Sequence, residues 1–103
     1  MSSDPSRHPF LSVLYETYLD EQDSAAFISR ASQFYTQGTL QRLAEHESHQ
    51  VRRSAVLALG LLADYEANHA MGRALVDSDR TVRMLAENGI RNVWARAGND
   101  EQR

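Results

Sequence analysis

Apolar and polar positions recur at a fixed offset between Val51 and Trp94. Val51-Arg52 and Val82-Arg83 lie 31 residues apart, and Ala55 with Ala86, Leu59 with Ile90 and Leu62 with Val93 keep the same step. Upstream, Leu40, Arg42 and Leu43 stand opposite Met71, Arg73 and Ala74. Each copy holds two apolar patterns of helical period. A repeat of this length written in helix pairs predicts stacked hairpins, in which each unit buries its inner face only against its neighbours. The expected architecture is all-α, an α-α superhelix of about three helical hairpins spanning residues 10–97.

Taken in order, residues 1–9, with Pro5 and Pro9, read as a flexible leader. Apolar residues at 10, 11, 13, 14, 15, 18 and 19 then predict a helix from Phe10 to Leu19. Asp20-Glu21-Gln22-Asp23 breaks it, and Asp23 is a suitable N-cap for a second helix from Ser24 to about Tyr35. This pair, 10–35, is expected to be a degenerate hairpin that caps the stack, its aromatic residues Phe10, Tyr15, Tyr18, Phe27, Phe34 and Tyr35 packing the core. The next unit, 36–63, opens with Thr36 as cap of a helix from Gln37 to about Glu47, and Ser48 as cap of a helix from His49 to Leu62. Ala55 to Ala63 is apolar around the whole circumference, which predicts a helix enclosed on all sides. Gly60 within it costs about 1 kcal/mol relative to alanine, a cost that suits a close backbone approach.

The last unit, 64–97, differs in a telling way. Glu87, Asn88, Arg91 and Asn92 replace Val56, Leu57, Gly60 and Leu61, while Val82, Leu85, Ala86, Ile90 and Val93 stay apolar. One hydrophilic face is what a terminal unit requires in water, so Arg80 to about Ala97 should be the last packed helix, closed by Trp94 and stopped by Gly98. Residues 98–103 then read as a tail or as the opening of a further helix, with Asn99 and Gln102 at capping-box spacing, in a chain cut from a longer protein.

Composition narrows the chemistry. Without cysteine there are no disulfides, thiolate metal sites or cysteine nucleophiles. No apolar run is long enough to cross a bilayer, and the start lacks the order of a secretory signal, so the expected location is cytoplasmic. All 11 basic residues are arginine, which excludes a lysine Schiff base or a phosphate-loop lysine. The net charge of −3 is unevenly spread: residues 1–50 carry three arginines against seven acids, residues 51–103 eight against seven.

The turn Asp77-Ser78-Asp79 followed by Val82-Arg83, together with Val51-Arg52 and the run Ala55-Val56-Leu57-Ala58-Leu59-Gly60, resembles the short HEAT-like repeats of the phycobilisome-lyase type. The likeness covers roughly Thr36 to Arg96, and it departs at His46-Glu47-Ser48, where aspartates would be usual, and at Ala63, where a glycine would be. It implies a solenoid, a polar ladder in which Asp77 and Asp79 cap the following helix and hold Arg83 while Arg52 plays the same part, and an origin in bacterial proteins where such repeats precede a tetratricopeptide segment. It also raises pigment-lyase-like activity, although fold alone does not establish function.

Three groups invite a chemical reading. His46 and His49, flanked by Glu45 and Glu47, suggest a metal clamp, but the spacing does not fit the helical zinc motif and the pair spans a turn, so solvated histidines are the competing reading. His8 and His69 have no matching partners in the sequence. Asp77 and Asp79 offer an acid/base pair, against the capping role the resemblance implies. Of the arginines on and beside the inner helices, Arg52, Arg53, Arg80, Arg83, Arg91 and Arg96, those outside the ladder are candidates for a binding surface, namely Arg53, Arg91 and Arg96; local pairing with Glu87 or Asp79 is the alternative. The expected function is a non-catalytic interaction or scaffold module, without cofactor or metal, presenting a concave helical surface to another protein or to an adjacent domain of a longer chain. Nucleic-acid binding through the inner arginines is the alternative, disfavoured by the negative net charge. A membrane partner is not expected.

Overall fold

The computed structural model describes residues 9–62 and 68–101, with side chains described for 10–62 and 69–95. Six helices make up these residues, with no strand among them: α1 (Pro9–Glu21), α2 (Ser24–Phe34), α3 (Gln37–Leu43), α4 (His49–Leu62), α5 (Asn68–Ala74) and α6 (Arg80–Glu101). The expected leader, apart from Pro9, and the α4–α5 connection with Ala63 lie outside the described residues.

Local chemistry explains most of the helix ends. Proline is tolerated in a first helical turn, where its missing N–H has no intrahelical partner to lose, and Pro9 opens α1. Gln22 adopts φ 57° and donates its N–H to the Tyr18 carbonyl at 2.6 Å, a left-handed stop for α1. Asp23 then accepts the Ala26 N–H at 3.0 Å, and Thr36 accepts the Thr39 N–H at 3.1 Å, so both expected caps are made. α3 ends at Leu43, short of the expected Glu47, because the chain tightens there: Glu45 N–H bonds the Arg42 carbonyl and His46 N–H that of Leu43. α6 is longer than expected. It continues through Gly98 to Glu101, since glycine lowers helix propensity without removing a donor as proline does.

α4 lies at the centre and touches each of the other five helices. Val51, Ser54, Ala55, Val56, Ala58, Leu59 and Gly60 are buried along it, and Ser54 satisfies its hydroxyl on the Gln50 carbonyl at 2.8 Å. Leu40, Leu43, Met71, Ala74, Val82, Ala86 and Val93 complete the core from α3, α5 and α6. The first hairpin contributes Leu11, Leu14, Tyr15, Phe27 and Ala31. Of its remaining aromatics, Tyr18 and Tyr35 pack half-buried against this core, and the other two depart from expectation. Phe10 and Phe34 are exposed and meet edge to face at 4.8 Å, leaving Phe27 and Tyr15 to fill the interior. Trp94, expected to close the stack, is 54% exposed.

α1 and α2 both reach α4, but α1 makes the broader contact. Ser12, Tyr15, Glu16 and Leu19 lie beside Gln50 and Arg53, and Tyr18 beside Leu57 and Leu61. Residues 50, 53, 57 and 61 form one stripe of α4, so the face expected to open onto a concave surface is partly covered by α1.

Candidate functional site

The turn between α5 and α6 is built from its carboxylates. Asp77 Oδ1 accepts the Asp79 N–H at 2.8 Å, and Asp79 Oδ2 accepts the Val82 N–H at 3.0 Å, capping α6. Two arginines at the start of α4 reach this turn. Arg52 donates through Nε and Nη2 to Asp77 at 2.8 and 3.0 Å, and Arg53 through the same atoms to Asp79 at 2.8 and 2.9 Å. Both are two-point guanidinium–carboxylate pairs, the strongest geometry available to these groups. Arg52 also donates through Nη1 to the carbonyls of His46 at 2.9 Å and Glu47 at 3.1 Å.

The 31-residue offset of the sequence reappears in these bonds. Arg83, one step on from Arg52, donates Nη1 to the Asp77 carbonyl at 2.7 Å, as Arg52 does to His46. His46, one step back from Asp77, accepts the Ser48 N–H on Nδ1 at 2.9 Å, as Asp77 does for Asp79. A histidine thus substitutes for the aspartate, which requires that nitrogen to be unprotonated. The expected ladder is corrected in one particular: the carboxylates hold Arg52 and Arg53, whereas Arg83 takes a backbone carbonyl.

These contacts bear on each chemical candidate. Arg53 is held by Asp79 along its Nε–Nη2 edge and is not a free cation. Arg91 is 65% exposed, donating to Asn88 Oδ1 at 3.0 Å with Glu87 at 3.6 Å, and the Arg96 side chain lies outside the described residues. The Arg53 guanidinium and the Val82 N–H hold the Asp79 carboxyl down at about 2 against the opposing effect of burial. A carboxylate so acidic is a poor proton acceptor near neutral pH, which leaves Asp79 ill suited to general-base work. Burial raises the neighbouring Tyr15 phenol, partly offset by Arg53. Among the described residues no three histidine or acidic side chains converge as a metal site; His8 lies outside them.

Two concavities lie among these helices. A cleft of about 350 Å³ between the α3–α4 turn and α5 is lined by His46, Glu47, Arg52 and Asp77, with the Arg73–Glu45 ion pair across it. A groove of about 220 Å³ where α1, α4 and α6 meet is lined by Tyr18, Leu57, Leu61, Leu85, Asn88 and Asn92, with Gly60 and Gly89 at its floor. This groove combines apolar walls with two amides, a pairing the sequence pattern showed only as the hydrophilic face of α6; Tyr18 had no signal marking it as a wall. No protein-family model, curated protein or solved structure matches the chain.

Proposed function

We propose that the chain is a non-catalytic protein-interaction module of HEAT-like character that receives a partner segment in the groove between α1, α4 and α6. The observation that carries this reading is the state of the charged groups: the most strongly paired acids and arginines, Arg52 with Asp77 and Arg53 with Asp79, hold one another across two hairpins and serve architecture. The groove retains what a peptide backbone and an apolar side chain would need, namely the amides of Asn88 and Asn92 beside Leu57, Leu61 and Leu85. Arg91, bonded to the Asn88 amide oxygen and largely exposed, is a cation beside the groove suited to an acidic flank.

A photo-crosslinker at Asn92, compared with one at Arg42 on α3, tests this in lysate of the source cell with and without nuclease. The expected result is a protein adduct from position 92 that survives nuclease and falls when Leu85 is changed to Glu. Adducts equal at both positions, or nucleic acid released at moderate salt, would overturn it.

A further inference from the structure

The large exposed apolar side chains of the described residues are all in the first and last hairpins: Phe10, Val13, Leu19 and Phe34 in one, Leu75, Val76, Met84 and Trp94 in the other. The middle hairpin, enclosed by its neighbours, has none among them. Three positions by which that middle hairpin grips the next are Arg52 on Asp77, Arg53 on Asp79 and Glu45 with Arg73. One repeat further on, the same positions are Arg83, Met84 and Val76, and all three are exposed. Arg83 is already anchored as Arg52 is, through Nη1 on the carbonyl six residues back. Its Nε and Nη2, the atoms that in Arg52 hold a carboxylate, have no partner among the described residues.

The other end carries the matching group. Glu21-Gln22-Asp23 places an acid two residues before the aspartate cap of α2, as Asp77-Ser78-Asp79 does before α6, and Asp23 accepts the Ala26 N–H as Asp79 accepts that of Val82. Residues 19–25 are exposed throughout, so Leu19, Asp20 and the Glu21 carboxylate face solvent together. We infer that a second copy of this chain docks head to tail, the acidic α1–α2 turn of one copy on Arg83 and Arg80 of the next, with Leu19 against Val76 and Met84. The surfaces used are separate from the groove, so this inference goes beyond the proposed function and stands or falls independently of it. Such a contact is heterologous, and it propagates as a ring or an open filament.

Sedimentation velocity on the 103-residue chain, from about 10 μM to about 1 mM, is the test, with helicity monitored by circular dichroism. The expected result is a mass that rises with concentration and falls with added salt, with association weakened about tenfold or more in both Arg83→Glu and Met84→Glu. The exposed Met84 side chain makes no bond among the described residues, so its variant reports on docking even where Arg83→Glu loses helicity. Mixing Arg83→Glu with Glu21→Arg should restore association to within about threefold of the unchanged protein, because each end then meets its opposite charge. A monomeric mass throughout the range, or association indifferent to these changes, would overturn the inference.

Discussion

At the crossing of α4 and α6 two glycines face each other. A Cβ built on Gly60 would stand 2.6 Å from the Gly89 Cα, and one built on Gly89 would stand 2.9 Å from the Gly60 Cα and would also strike the Met71 methyl. Backbone cannot yield as a flexible side chain does, so Gly60→Ala and Gly89→Ala should each destabilise by about 1–3 kcal/mol in urea unfolding. Gly72, exposed on α5 with open space around it, is the control: Gly72→Ala should stabilise by about 0.5–1 kcal/mol. Equal responses at the three sites would contradict the close approach. Gly60 was legible in the sequence because a glycine in an apolar helix needs a reason. Gly89 was not, since it lies among Glu87 and Asn88 and pairs at an offset of 29 rather than 31 residues. The Asp79 carboxyl makes a second prediction at this scale. Its folded value near 2 lies below the ordinary aspartate range, so its ionised form stabilises the fold fully above about pH 4 and loses that contribution as pH falls toward 2. Allowing for partial solvent screening, about 1–2 kcal/mol should disappear over that window, and Asp79→Asn should flatten the acid limb of a stability-against-pH curve.

Helix starts were the most readable elements. Asp23 and Thr36 are caps because their short oxygen-bearing side chains satisfy donors that the first turn leaves open. Thr36→Ala and Asp23→Ala should each cost about 1 kcal/mol, measured by thermal or urea unfolding, and an unchanged midpoint in both would remove the caps from the account of α2 and α3. Where sequence reasoning fell short, the competing cause is identifiable. Gly98 has the residue type of a helix stop but lacks a following proline, and α6 passes through it. The enclosure of α4 followed from its unbroken apolar circumference, whereas the placement of α1 over residues 50, 53, 57 and 61 had no local signal. Helical period shows which face of α1 is apolar without naming the neighbour that covers it. For the candidate surface this matters directly. Arg53 reads as a surface cation until α4 and the α5–α6 turn are brought together, after which its Nε–Nη2 edge belongs to Asp79.

On the scale of the molecule, α4 is the common neighbour of every other helix, and its first turn carries the two arginines that tie the middle hairpin to the last. The Arg52 and Asp77 side chains are only 15% and 12% exposed, so each is stable in place because the other is there. That coupling is the central claim, since it assigns the most conspicuous charged residues to joining helical hairpins rather than to chemistry. A double-mutant cycle with Arg52→Ala, Asp77→Ala and the double variant, followed by urea unfolding, measures it most directly. The expected coupling is about 1–3 kcal/mol, each single change costing nearly as much as the pair. Additive losses, with a coupling near zero, would contradict it and return Asp77 to the candidates for acid/base chemistry.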